Sequence, residues 1–246
     1  MGLQTSGQIS LNDIHIEAGG STSTLVGIND SDIRDLIGKS SGAQMVFTEW
    51  YGASASITAT NRRTPTATTP VTLSGLSSSG TTLIVASYFW HEDVYSQGYA
   101  PVPSVNGSAM TRDVYKWNNY SSETEYISWY RYYIGTATSV TMSRTLSPTG
   151  GYNTQGICVW ECNGNLTAGA TASTSGSSIS INANEGEVVF VGAAHNWSAP
   201  ANTNNLDQQF GAGQHKMGVD MKASSGSVTY SAGQTLYGGM AGVRYY

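Results

Sequence analysis

The sequence predicts an all-β protein: an antiparallel, jelly-roll-like β-sandwich preceded by a small N-terminal module with one short helix. Three observations carry this. Only 11% of the 246 residues are charged while 10% are aromatic, and the polarity comes from Ser, Thr, Asn and 29 Gly, a composition suited to pleated strands and tight turns rather than to disorder. Short runs of β-branched and aromatic residues recur between Gly, Ser and Asn clusters. Beyond Lys39 no helical period of any length appears.

Residues 1–52 differ from the rest and are read as a separate module. They hold a loose internal echo, Leu11-Asn12-Asp13-Ile14 against Ile28-Asn29-Asp30-Ser31-Asp32-Ile33. Over residues 31–39 a capping Ser31 precedes acids in the first turn, which suit the positive end of the helix dipole. Ile33, Leu36 and Ile37 form one apolar face, and Gly38 is placed to end the helix. Isolated helices under roughly 12 residues rarely persist in water, so this one needs a surface to pack on. That surface is either its own strands, expected over residues 8–11 and 44–47, or a partner protein.

Residues 53–70 are small and Thr-rich, punctuated by Pro65 and Pro70, and read as an extended linker. From residue 71 to 246 the sandwich follows, its clearest strands falling within residues 81–88, 126–134, 139–142, 156–162, 178–181, 187–192, 227–230 and 242–246. Many short strands separated by turn residues favour two packed antiparallel sheets. The chain ends inside a strand pattern, which predicts that its last residues are paired in a sheet.

A formal net charge of −5, with Lys and Arg scattered, lacks the basic stripe of a nucleic-acid binder, so no nucleic-acid partner is expected. The first residues have no basic stretch followed by an apolar run, and no segment reaches the roughly 20 apolar residues that span a bilayer. Membrane insertion is not expected, and the chain is read as made in a cytoplasm. Cys158 and Cys162 lie four positions apart on one predicted strand, which sets them about 13 Å apart at roughly 3.3 Å per residue and excludes a disulfide between them. Both are read as small core residues.

Catalytic chemistry finds no local motif. His91-Glu92-Asp93 offers metal-ligand and acid/base side chains, but neighbours along a strand point to opposite faces and no second ligand group stands at metal spacing. His195, beside Asn196 and Trp197, reads as a loop residue at a strand end. Paired carboxylates for sugar hydrolysis are not singled out among Glu92, Asp93, Asp113, Glu123, Glu125, Glu161, Glu185, Glu187, Asp207 and Asp220. Neither a Gly-x-Ser-x-Gly elbow nor a phosphate-binding loop is present. No metal and no cofactor is therefore expected, and the chain is read as non-enzymatic. Trp129 and Trp160 lie within strands and are assigned to the core. Tyr95, Tyr99, Trp117, Tyr120 and Trp197 lie in polar segments, where aromatic faces serve protein interfaces or stack on sugar rings, making a host-surface glycan the alternative partner.

The opening Gly7-Gln8-Ile9-Ser10-Leu11-Asn12-Asp13-Ile14-His15-Ile16-Glu17-Ala18-Gly19, the stretch 25–38 with Asn29-Asp30-Ser31-Asp32-Ile33-Arg34, and the close Trp50-Tyr51-Gly52-Ala53-Ser54 resemble a module at the start of many tailed-bacteriophage virion proteins, described as tail, neck or fibre components. The resemblance covers about the first fifth of the chain. It implies attachment to a virion and brings no catalytic residues. On it rest the candidate docking residues Ile14, Ile33, Leu36, Ile37, Trp50 and Tyr51, other tail, neck or capsid proteins as partners, assembly in a host cytoplasm, and a homo-oligomer, a trimer by analogy with fibres. What the outer domain then does, as fibre, adaptor, decoration, receptor-recognition module or, last in rank, glycan depolymerase, is left open at this level.

Overall fold

The computed structural model describes residues 3–22, 24–37, 39–51, 56–66, 69–78, 80–92, 102–120, 123–144, 154–194, 206–212, 215–222, 224–231 and 239–246. The chain divides into two compact units, Met1–Ser56 and Ile57–Tyr246.

The first unit is built of helical turns where two strands were expected. Ser10 starts α1 (Leu11–Glu17): its hydroxyl accepts the amide of Asp13 at 3.1 Å and its own amide donates to the Asp13 carboxylate at 2.8 Å. This reciprocal cap, Ser followed three residues later by an acid, overrides the strand expected over residues 8–11. The expected helix is shorter than residues 31–39, spanning α2 (Ser31–Asp35) with Asp30 at its N-cap. Residues 44–46 are irregular and lead into a 3-10 turn, Phe47–Trp50, where the Glu49 carboxylate accepts the Val46 amide at 2.9 Å.

The second unit is an antiparallel β-sandwich, as the composition predicts. Its strands are β1 (Ala59–Thr66), β2 (Val71–Ser74), β3 (Thr81–Glu92), β4 (Pro103–Val105), β5 (Ser108–Ala109), β6 (Thr111–Tyr120), β7 (Glu123–Gly135), β8 (Ser139–Arg144) and β9 (Thr154–Asn163). After them come β10 (Ala168–Thr174), β11 (Ser178–Ala183), β12 (Val188–Ala194), β13 (Gln208–Ala212), β14 (His215–Met221), β15 (Gly226–Ser231) and β16 (Gly239–Tyr245). Residues 59–66, expected in a linker, are the edge strand β1, paired with β9 through Ala59–Cys162, Asn61–Trp160 and Thr66–Ile157. β-Branched Thr suits a pleated surface, and Pro65 is tolerated because an edge strand leaves one row of amides unpaired. The C-terminal strand β16 lies inside its sheet between β10 and β12, as the terminal strand pattern predicts.

The strands form four sheets: β1-β9-β3-β7-β6, β10-β16-β12-β14-β13, the smaller β2-β8-β4-β5, and the pair β11-β15. Substituting β10 for β1, β16 for β9, β12 for β3, β14 for β7 and β13 for β6 turns the first order into the second. The small sheets correspond in register as well: Val71–Met142, Thr72–Thr141 and Leu73–Val140 in one match Ile179–Tyr230, Ser180–Thr229 and Ile181–Val228 in the other. The unit is therefore two copies of one seven-strand pattern, the first carrying the extra hairpin β4-β5. A trace survives in sequence, Ser139-Val140-Thr141-Met142-Ser143 against Ser227-Val228-Thr229-Tyr230-Ser231.

The two five-stranded sheets pack face to face. Between them lies the main core, with Ile84, Trp129 and Trp160 from the first repeat against Phe190, Val219, Val243 and Tyr245 from the second. β6 lies along β10 while β1 lies along β13, contacts that exchange when the repeats are exchanged, as in a two-fold pair. Each sheet's other face is covered by its own small sheet. Leu83 and Val85 pack outward with Leu73, Val105, Val140 and Met142, and Val189 and Val191 pack outward with Ile179, Ile181 and Tyr230. Burial on both faces explains the unbroken apolar runs 83–86 and 188–191, which alternation alone would not give.

Candidate functional site

The docking candidates of the first unit fall into two sets. Ile14, Ile33 and Trp50 are fully buried and form, with Leu3, the unit's own core, against which Leu36 and Ile37 are partly buried. The Trp50 indole donates to the carbonyl of Ile33 at 3.0 Å, and the Tyr51 hydroxyl donates to the carbonyl of Gly7 at 2.5 Å. His15 on α1 is hydrogen-bonded to Asp32 on α2 at 3.1 Å, and a side chain at Gly20 would overlap the His15 ring. The side chains proposed as contacts thus hold the unit together, because so small a unit has few large apolar groups from which to build a core. The exposed apolar groups are others: Leu25 at 98%, Val46 at 53% and Phe47 at 44% exposure, joined by Ile16 and Ile28. Sequence reasoning missed these, since a single apolar residue outside a period carries no signal of which side it takes.

Tyr95, Tyr99 and Trp197 lie outside the described residues, as do Asp93 and His195, and Tyr120 is placed in β6 with its side chain outside them. Trp117 is half-buried on β6, paired with Tyr126. His91 and Glu92 end β3, again without described side chains.

Four of the described carboxylates, Asp113, Glu161, Asp207 and Asp220, are committed to structural bonds. Asp113 is the extra residue of a β-bulge in β6 and accepts from Arg131 Nε at 2.9 Å and from the Tyr245 hydroxyl at 2.8 Å. Such a bulge re-aims one side chain, here across the seam between repeats. Glu161 takes the Ser77 amide at 2.6 Å and pairs with Arg62. Asp220 takes the Tyr230 hydroxyl at 2.7 Å, and Asp207 the Met221 amide at 2.5 Å. Among the described residues no group of three or more His, Cys, Asp or Glu is placed to hold a metal ion. Cys158 and Cys162 are buried in the main core, where desolvation pushes the Cys158 thiol up to about 12 and raises Cys162 as well.

One further cluster lies in the first repeat. Between the sheet of β3 and its small outer sheet, Arg144 continues the inward face of Val140 and Met142. Its Nη2 donates to Gln155 Oε1 at 3.2 Å. On the facing strand β7 the hydroxyls of Tyr126 and Tyr130 lie 3.1 Å apart, and Arg112 donates to the first at 3.5 Å.

No family model, curated protein or solved structure matches the chain.

Proposed function

We propose that the chain is a structural component of a tailed-phage virion, without a catalytic role, whose first unit docks on tail, neck or capsid proteins and whose duplicated sandwich forms the projecting or cementing body. The observation that carries this reading is where the three phage-like pieces fall. Ser10-Leu11-Asn12-Asp13-Ile14 forms the capped start of α1, Asp30-Ser31-Asp32-Ile33 the start of α2, and Trp50-Tyr51 the bonds that close the unit. The motif thereby specifies a small scaffold, and the contact surface is assigned to the apolar side chains it leaves outside, Leu25, Val46 and Phe47. Association through such exposed groups would bury them at roughly 25 cal/mol per Å² of apolar surface.

Particle assembly tests the reading. Leu25→Asp and Phe47→Asp should sharply lower incorporation into particles while leaving circular dichroism unchanged, and deletion of residues 1–56 should abolish it. Normal incorporation of the deletion would overturn the docking role.

A further inference from the structure

The duplication supplies an internal control for residues that the fold does not require. Where the first repeat has Tyr130 beside Val85, the second has Gly218 beside Val191, and where the first has Arg144 after Ser143, the second has Ala232 after Ser231. The same strand order and register form with and without these side chains. Arg144 and Tyr130 are therefore additions to the pattern.

Arg144 is also an unusual addition. Its side chain is buried, with the residue 4% exposed, yet Nε and Nη1 have no hydrogen-bond partner. Among the described residues no carboxylate pairs with it. A buried guanidinium without a counter-charge is costly, because Arg stays protonated and its donors have given up water. Burial pushes its pKa down to about 10, against an opposing pull from the nearby Tyr88, Tyr130 and Tyr126 hydroxyls. Donors around a buried positive charge, with no anion against it among the described residues, suit an external one.

We propose that Arg144, with the Tyr126 and Tyr130 hydroxyls and the Gln155 amide, forms a carboxylate-binding site between the sheet of β3 and its small outer sheet. The planar guanidinium matches a carboxylate's two oxygens, and the one phenol proton that the Tyr126–Tyr130 hydrogen bond leaves over supplies a neutral donor beside it. A carboxylate of this kind is carried by a free small acid or by an acidic sugar of a glycan. The site does not depend on whether the chain belongs to a virion.

Calorimetric titration of the full chain at constant ionic strength separates the cases. Acetate and glucuronate should bind saturably and raise the melting temperature, while glucose should do neither. Response to acetate alone assigns a small-acid site, and response to both assigns an acidic-sugar site. Arg144→Gln should abolish binding, and Tyr130→Phe, which keeps the ring, should weaken it about tenfold, the loss of one hydrogen bond to a charged group. If Arg144→Gln does not fold, Tyr130→Phe decides alone. No saturable binding of either acid, equal binding by the variants, or chloride binding as tightly as acetate would overturn the proposal.

Discussion

The indole N–H of Trp129 donates to the main-chain carbonyl of Ala241 at 3.1 Å, fastening the largest kind of side chain in the first repeat to the backbone of the second. Trp160 and Phe190 stand 5.6 and 5.2 Å from its ring, so three aromatic groups from both repeats fill one space. Trp129→Phe should cost about 1–3 kcal/mol, mainly the lost hydrogen bond, and Trp129→Ala about 3–5 kcal/mol. Because the core is shared, urea denaturation followed by the β-sheet signal in circular dichroism should remain one transition in each variant. Two resolved transitions for the sandwich would mean that the repeats are stable separately.

Gly192 tests the fit of that interface at one atom. A Cβ there would stand 2.3 Å from Ile127 Cδ1, although the equivalent position of the first repeat is Ala86. Both are buried, so the isoleucine has little room to turn away. Gly192→Ala should destabilise by about 1–3 kcal/mol. Ile127→Val removes the clashing methyl, and the double variant should be more stable than the sum of the single effects predicts. Strict additivity would place the overpacking elsewhere.

Strands were legible because their signal is local: residues 81–88 and 187–192 carry enough β-branched and aromatic residues to be read alone. The duplication was not, for a physical reason. Trp160 is matched by Val243, and Trp129 by Met217, so large groups of one repeat occupy space that the other leaves by being small. Complementary volumes across a two-fold seam erase residue identity while register is retained. Residues 139–143 and 227–231 kept four of their five letters. In the first unit, the Ser10–Asp13 spacing is a capping signal that competes with a strand pattern over residues 8–11, and the burial of Ile14, Ile33 and Trp50 depends on contacts between distant turns. The Arg144 cluster assembles from β7, β8 and β9, a placement no local spacing encodes.

Alkaline conditions should weaken the sandwich. Desolvation by burial raises the phenols of Tyr88, Tyr130, Tyr230 and Tyr245 above their ordinary value of 10.0 and the Cys158 and Cys162 thiols above 9.0. The folded chain keeps these protons at a pH where the unfolded chain releases them. Their contribution is therefore fully present below the unfolded values and is lost as pH rises from about 9 upward. Denaturant midpoints should fall across that range, with Tyr ionisation absorbance appearing together with unfolding rather than before it. The thiols should likewise react with a disulfide reagent near neutral pH only at the rate of opening. Tyrosine ionisation in the folded state well ahead of unfolding would contradict this.

In the first unit the cap of α1 gives a prediction whose sign depends on acid. Asp13 lies on the surface, and the Ser10 hydroxyl followed by the Ser10 amide holds its carboxyl below the ordinary value of 3.8. A lowered folded-state pKa means that the cap is fully effective above the unfolded value and is lost as pH falls through the folded one. Hydrogen exchange read by mass spectrometry on the full chain should show α1 amides exchanging roughly two- to thirty-fold faster in Ser10→Ala at neutral pH, the range expected for loss of an N-cap. Asp13→Asn should reproduce part of that effect at neutral pH, because a neutral amide is a weaker acceptor for both Ser10 groups. A helix held by Ile14 packing alone would give equal exchange in all three proteins, and that result would reduce the Ser10–Asp13 pair to a surface contact without consequence for the unit.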